Sequence, residues 1–199
     1  ISGVRTLACM KHVGLNVAAD PLFTSSYTGV NAGMVIIVAD DPGMHSSQNE
    51  QDSRHYAKGS KIMMLEPSDS QECLEYSKLA FTLSERFDTP ILLRLTTRVS
   101  HSRSLAEVSE RVDNGLKAYE KNPQKYVMVP ANAKVKHVAV EKRILEQTEF
   151  CEKEAVSIGL NTVEYNSKKI GVITSGITYT YAKEALGENA SYLKLGCVY

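Results

Sequence analysis

The hydrophobic pattern alternates between short apolar runs and amphipathic segments, which predicts an α/β fold. Residues 33–39 form an apolar run without charge, and residues 91–95 form a second apolar run that only Arg94 interrupts. Such runs are typical of strands buried on both faces of a parallel sheet. Further strands are predicted over residues 4–13 and 62–65. Two capping boxes in residues 68–72 predict a helix whose apolar side carries Cys73, Tyr76, Ala80, Leu83 and Phe87.

The pattern changes after residue 103, which divides the chain into three parts. Residues 1–103 are predicted to form one α/β domain, residues 104–166 a connector, and residues 167–199 the start of a second α/β unit. In the connector, Ser104 and Glu107 form another capping box, which is typical of the start of a helix. A long helix is expected after it, starting at Asn132 and continuing to about Ser157.

Residues 40–55 are the most informative polar stretch. They follow the apolar run 33–39, so they start at the carboxyl end of a predicted parallel strand, where ligands bind in open α/β sheets. Arg54 can clasp a carboxylate through two hydrogen bonds, and His45 and His55 can move protons near neutral pH. The alternative is a solvated loop without function. Loops longer than about 12–15 residues are uncommon unless functional, which favours a site.

Two other segments are candidates for ligand contact. In residues 11–16, Gly14 and Asn16 follow a strand, an arrangement that can bring the backbone close to a ligand. An ordinary strand-to-helix turn explains this motif alone somewhat better.

The second segment ends the strand over residues 91–95. Thr96, Thr97 and Arg98 can bind a phosphate or a carboxylate. Alternatively, Arg94 and Arg98 pair with acids of the stretch 40–55, and this structural interpretation is slightly favoured.

Composition excludes several classes of function. The net charge is zero at pH 7, which gives no indication of a nucleic-acid or anionic-membrane partner. No apolar run reaches membrane-spanning length, and no secretory signal is present. The four cysteines are scattered and suit a reducing cytoplasm rather than a zinc or iron–sulfur site. A metal site from Asp40, Asp41, His45 and His55 is conceivable but not favoured, because these positions lack regular spacing. Both ends of the chain lie within strand patterns, which predicts a piece of a longer polypeptide.

Several motifs together resemble the alpha subunits of indolepyruvate:ferredoxin oxidoreductases. They are MKHVGLN at residues 10–16, ADDPGMHSSQNEQDSR at 39–54 and LRLTTRVSHS at 93–102, with shorter likenesses at 126–133 and 173–176. The likeness covers essentially the whole chain. Members of this family are thiamine-diphosphate enzymes. They oxidatively decarboxylate aryl pyruvates to aryl-acetyl-CoA and pass electrons through iron–sulfur clusters to ferredoxin.

The resemblance implies a fold and a set of cofactors. Most of a parallel-sheet, pyrimidine-binding-type domain is expected, then the connector and the beginning of a transketolase-C-terminal-like unit. The glutamate that activates thiamine would lie before Ile1. The domain that binds diphosphate and Mg, and the domain that holds 4Fe-4S clusters, would lie after Tyr199. The 199 residues alone are therefore expected to bind no cofactor and to be inactive.

The resemblance also implies roles for individual residues. Gly14, Leu15 and Asn16 match a turn that lies against the aminopyrimidine ring of the cofactor in related enzymes. Arg54 matches an arginine in a loop near the substrate. We expect Gln51 and Thr97 to be further substrate contacts; His45 is the one candidate for catalysis.

The expected partners are a beta subunit, ferredoxin, CoA and an aryl pyruvate, with a cytoplasmic location and no nucleic acid or membrane. Homodimer formation is left open. Two alternatives remain: a non-catalytic α/β binding or scaffolding domain of a larger complex, and a metal-dependent hydrolase that uses His45 and the neighbouring acids.

Overall fold

The structure, a computed structural model, describes residues 1–199 and contains two sheets. The strands of the first sheet are β1 (Thr6–Lys11), β2 (Met34–Asp40), β3 (Met64–Leu65) and β4 (Ile91–Thr96). They are all parallel and lie in the order β1-β2-β4-β3. The central strands β2 and β4 are mostly buried because helices cover both faces of the sheet. The α/β fold with a parallel sheet that the apolar runs predicted is confirmed.

Five helices surround this sheet: α1 (His12–Val17), α2 (Ala19–Thr28), α3 (Ser53–Ser60), α4 (Ser70–Phe87) and α5 (Thr97–His101). Val35 of β2 belongs to the core cluster that contains the apolar side of α4, whereas Ile36 belongs to the cluster with α1 to α3. Successive side chains of a strand point to opposite faces, so β2 supplies both cores. Of the predicted helix stripe, Tyr76, Ala80, Leu83 and Phe87 are buried and Cys73 is half-buried.

The second half contains α6 (Pro123–Tyr126), the long helix α7 (Pro130–Lys153), β5 (Thr162–Glu164), β6 (Gly171–Ser175), α8 (Ile177–Leu186) and β7 (Ser191–Leu195). The second sheet has the order β5-β7-β6, with β6 and β7 parallel and β5 antiparallel to β7. β5, which lies within the predicted connector 104–166, thus belongs to this sheet. No helix combines the length and apolar character that crossing a membrane requires.

The helix predicted from the capping box at Ser104 and Glu107 is wrong, since residues 102–122 contain no helix. Leu105 and Val108 are 99% and 85% exposed, so a helix here would have no core against which to bury its apolar side. Short helices without such packing are marginal in water. The long helix starts at Pro130 rather than at Asn132, because proline is well suited to the first helical turn.

The last residues of the chain join the two units. After β7 the chain leaves the second sheet and runs beside β3, where Met64 and Val198 form a backbone hydrogen bond of 3.0 Å, and Glu66 donates its N–H to the carbonyl of Gly196 at 2.8 Å. Gly196 lies against the chain at Leu160, where an added Cβ would be 2.1 Å from the carbonyl oxygen. Only a residue without a side chain fits this junction.

We expect Gly196→Ala to lower the free energy of unfolding by ~2 kcal/mol or more, because the methyl group overlaps backbone that cannot move freely. Gly171→Ala is the matched control, since nothing lies within 4 Å of its added Cβ. Urea unfolding of both variants measures the difference. Equal stability of the two would contradict this account of the junction.

Candidate functional site

A polar cavity of about 260 Å³ lies at the carboxyl ends of β2, β3 and β4. Only one of its 15 lining residues is apolar. The sheet contributes Asp40, Glu66 and Arg94, and the loop between β2 and α3 contributes His45 and Gln51. The second unit closes one side with Ser175, Ile177 and Thr178. The cavity is therefore built by both units, at the sheet edge where parallel α/β folds place their ligands.

A buried group of three charges forms the floor of this cavity. Arg94 lies between two carboxylates, with Nε 2.6 Å from Asp40 and one terminal nitrogen 2.8 Å from Glu66. The three side chains are at most 6% exposed. The backbone N–H and hydroxyl of Ser53 also donate to Asp40. The pairing of Arg94 with an acid of the polar stretch, one of the two alternatives left open by the sequence, is thus present.

Asp41 fastens the loop that forms the wall. Its carboxylate accepts hydrogen bonds from the hydroxyl of Ser47 at 2.6 Å, the N–H of Ser46 at 2.8 Å and the hydroxyl of Thr97 at 2.7 Å. These bonds, led by the one from Ser47, hold the pKa of Asp41 well below its usual value. The hydroxyl of Thr97, predicted as a substrate contact, therefore also serves to hold the loop in place.

Arg54 lies in the cavity wall, but an acid of its own helix turn engages its guanidinium. Asp52 caps α3 and accepts from the backbone N–H of Arg54 at 3.1 Å. The same carboxylate lies 2.8 Å from Nε and 2.7 Å from a terminal nitrogen of Arg54. This pair raises the pKa of Arg54 and is partly exposed. A ligand carboxylate would have to share Arg54 with Asp52.

Arg98 differs from the other two arginines of the cavity because it has no acidic partner within the chain. It also lines an adjoining open cleft of about 570 Å³, together with His101 and Tyr181. The pairing of Arg98 with a loop acid, considered from the sequence, does not occur. Its guanidinium is exposed at the place where cavity and cleft meet.

The segment 11–16 meets the polar loop but does not line the cavity. Lys11 donates to the carbonyl of Ser46 at 3.1 Å, and the ring of His12 lies 3.2 Å from the carbonyl of Asn49. The two motifs therefore converge at one end of adjacent strands.

Gly14, Leu15 and Asn16, predicted to contact the cofactor, lie in the same segment. They belong to α1, which begins directly after β1, rather than to a turn. Leu15 is 1% exposed and packs in the core cluster with Leu22 and Ile36, and its contact with a cofactor stays a prediction. Gly14 and Asn16 are absent from the cavity lining, because β1 ends one strand further from the centre of the sheet.

The predicted residues His45 and Gln51 do line the cavity. His45 donates its backbone N–H to Asp41 at 3.1 Å, and Gln51 donates its side-chain amide to Asn49 at 3.0 Å. No group of three or more His, Cys, Asp or Glu side chains is placed to hold a metal ion.

The sequence patterns did not identify Glu66 as a cavity residue, nor the residues that the second unit contributes to the cavity. Gly176, between β6 and α8, has φ of +53° and lies so close to Glu66 that an added Cβ would be 2.6 Å from its Oε1. Glu66 directly follows β3, so the rule that ligands bind where parallel strands end could have found it. Nothing in the sequence indicated that Ser175 and Thr178 would reach the same edge.

Comparison with curated proteins identifies relatives that share one name. No protein-family profile matches the chain. It is 47% identical to the indolepyruvate oxidoreductase subunit IorA of Methanothermobacter marburgensis, and 42% identical to that of Archaeoglobus fulgidus. Both alignments cover 100% of this chain and 32% of the relative. The chain thus spans about a third of the length of the curated relatives it matches.

Among solved structures, the chain is similar to the 2-oxoglutarate:ferredoxin oxidoreductase from Magnetococcus marinus. The TM-score is 0.63 at 13% identity, and the match covers 97% of this chain and 42% of the other. At this identity the similarity shows a shared fold.

The buried charges yield a first prediction for the site. Arg94→Met should lower the free energy of unfolding by ~3–5 kcal/mol, because it leaves two buried carboxylates without a cation. Arg54→Met removes a partly exposed ion pair and should cost less than ~1 kcal/mol. Guanidinium unfolding curves of the two variants measure both values. Similar losses in the free energy of unfolding for the two variants would show that the ion pairs of Arg94 do not stabilise the floor of the cavity.

Asp41 yields a prediction about pH. Because folding lowers its pKa, its contribution to stability is present above the unfolded pKa of about 4 and is lost as the pH falls below it. Asp41→Asn should therefore lower the melting temperature at neutral pH, and the gap to the unmodified chain should narrow in acid. Melting curves between about pH 2.5 and 7 test this. A gap that stays constant over this range would refute the proposed role of Asp41.

Proposed function

Because this chain belongs to the family of the indolepyruvate oxidoreductase subunit IorA, we propose that it forms part of an indolepyruvate:ferredoxin oxidoreductase. The reaction is the oxidative decarboxylation of aryl pyruvates to aryl-acetyl-CoA, with electrons passing to ferredoxin, in the cytoplasm. The partners are a beta subunit, ferredoxin and CoA. The observation that carries the proposal is 42–47% identity along the whole chain.

The position of the cavity supports this reaction. A 2-oxoacid needs its carboxylate held and oriented before decarboxylation. Arg54, Gln51 and Arg98 line one cavity and provide the guanidinium and amide groups for this task. Thr97 acts by fixing the loop through Asp41, so that the wall keeps its shape. His45 lines the same space and is the group available to move a proton.

The cofactor of the proposed enzyme is thiamine diphosphate. When bound, it supplies the nucleophilic carbon and the electron sink that decarboxylation requires. The chain fits the organic part of such a cofactor, because buried oxygens of Gln51 and Thr96 in the cavity lining have no partner within the protein. It does not fit Mg or iron–sulfur clusters, since no group of three metal-ligating side chains occurs. We assign Mg and the 4Fe-4S clusters to other parts of the complex.

A similar fold occurs in an enzyme of related chemistry. The 2-oxoglutarate:ferredoxin oxidoreductase from Magnetococcus marinus was solved with 2-oxoglutarate, coenzyme A and succinyl-CoA bound. A 2-oxoacid and CoA are the ligands that the proposed function requires here.

A kinetic experiment on the complete oxidoreductase tests the proposal. Arg54→Ala should raise the KM for indolepyruvate at least about tenfold, equivalent to ~1.4 kcal/mol, because one guanidinium contact to the carboxylate is lost. The KM of Arg54→Lys should lie between those of the unmodified enzyme and Arg54→Ala, since lysine keeps the charge but cannot form the paired hydrogen bonds. Steady-state turnover of indolepyruvate with reduction of ferredoxin is the measurement.

Arg86→Ala is the matched control, because Arg86 pairs with Glu154 on the surface and does not line the cavity. Its KM should not change. Unchanged turnover and thiamine diphosphate affinity in both Arg54→Ala and Asn16→Ala variants would favour the non-catalytic scaffolding alternative.

A further inference from the structure

The single apolar side chain of the polar cavity leads out of it. Ile177 is the one apolar residue among the 15 that line the cavity, and it also lines the adjoining cleft of about 570 Å³. His45, Thr97 and Arg98 line both spaces as well, so the two are continuous. The cleft adds Tyr181, which the cavity lining lacks. Apolar surface therefore extends from the mouth of the cavity into the cleft.

The helix α8 presents this apolar surface on a side that its own sheet does not use. Tyr179 and Lys183, one turn apart, both donate hydrogen bonds to the carboxylate of Glu164 in β5, which fixes that side of the helix on the second sheet. Ile177 and Tyr181 are also one turn apart, and both line the cleft. Tyr181 is 54% exposed, and neither residue belongs to a core cluster. Their position favours contact with a ligand rather than a role in folding.

The first unit contributes a polar wall to the cleft. Arg98 and His101, one turn apart on α5, line it together with Ser102. Arg98 has no acidic partner within the chain, so its guanidinium is free to contact a ligand. A guanidinium is attracted to the face of an aromatic ring, and most strongly to an indole. A cleft with one cationic and one apolar wall suits a flat aromatic ring.

The substrate of the proposed reaction has two ends of different chemistry. Its 2-oxoacid end is anionic and needs polar donors, which the cavity supplies through Arg54 and Gln51. Its indole ring is mostly apolar, and removing apolar surface from water is favourable by about 25 cal/mol for each Å². The cavity lining offers this ring a single apolar side chain, Ile177. With the acid held in the cavity, the ring finds further apolar contact in the cleft, at Tyr181.

CoA is the other large ligand of the proposed reaction, and the cleft suits it less well. Its phosphate groups call for several cations or N–H donors. The α8 side of the cleft provides no cation and one neutral hydroxyl, that of Tyr181. Phosphates placed there would lie against apolar surface. The chemistry of the cleft therefore favours the aryl ring.

We infer that Ile177 and Tyr181 form the subsite for the aryl ring of the 2-oxoacid, with Arg98 and His101 on the other side of the ring. Tyr181 then determines the preference for 2-oxoacids with an aromatic side chain. The inference deepens the proposed function and rests on it for the identity of the substrate. The contact of Arg54 with the carboxylate does not depend on it.

Binding of indolepropionate to the complete oxidoreductase tests the inference. This compound has the ring and the carboxylate of indolepyruvate but no keto group, so it binds without reacting. We expect Tyr181→Ala to raise its dissociation constant at least about tenfold, because the ring loses an aromatic neighbour. Tyr181→Phe should stay within about twofold of the unmodified enzyme, since it keeps that neighbour. Titration calorimetry measures these constants.

Further variants locate the binding. Ile177→Ala should weaken the binding of indolepropionate several-fold, because it removes apolar contact area. Tyr165→Ala is the matched control, because Tyr165 is 90% exposed and lines neither the cavity nor the cleft. It should leave the affinity unchanged. Tyr181→Ala should retain the melting temperature of the unmodified enzyme, since Tyr181 lies outside the core clusters.

Unchanged affinity for indolepropionate in the Tyr181→Ala enzyme would overturn the inference, and a raised KM for CoA in that same enzyme would assign the cleft to CoA instead. The proposed reaction is judged separately, by turnover of indolepyruvate. Binding that depends on Tyr181 in a complex without this turnover would leave the subsite in place and remove the reaction. Turnover without such dependence would remove the subsite alone.

Discussion

The ion group of Asp40, Arg94 and Glu66 is the constraint on which the site depends. Asp40 ends β2, Glu66 directly follows β3 and Arg94 lies in the second half of β4, so the three charges hold the carboxyl ends of these strands together. Burying charges is expensive unless they are paired and hydrogen-bonded, and here Ser53 adds two bonds to Asp40. Because the desolvation cost of burying these charges offsets much of their mutual attraction, we interpret the group as one that forms the cavity rather than one that adds stability.

The same group connects the parallel sheet to the second unit. Glu66 lies against the glycine turn between β6 and α8, and its backbone N–H bonds to Gly196 beyond β7. The end of β3, the turn after β6 and the segment after β7 thus meet at one residue, Glu66. The polar cavity above it has walls from the loop after β2, from α5 and from the start of α8. Its polarity follows from this floor, since an apolar lining would leave the buried charges without hydrogen-bonding neighbours.

Much of the site could be anticipated because parallel strands leave simple patterns. The apolar runs predicted β2 and β4, and the polar residues after them predicted where ligands would bind. Arg54, Gln51, His45 and Thr97 all lie at that edge, as expected from their positions. Residues 14–16 lie in a helix rather than in the expected turn, because nothing in the motif distinguishes a turn from a helix that begins directly after the strand. The helix at Ser104 failed for a similar reason: a capping box gives a start signal but does not provide a core to pack against.

The sequence by itself determined the order of strands and helices, the buried strands and the polar loop that follows them, because these depend on residues close together in the chain. Tertiary structure decided how the charges are shared. Arg94 pairs with two acids, Arg54 pairs with its neighbour Asp52, and Arg98 pairs with no acid. It also decided that the second unit closes the cavity beside Glu66. Such pairings depend on distances of a few ångströms between segments distant in sequence, and these distances exist only once the chain has folded.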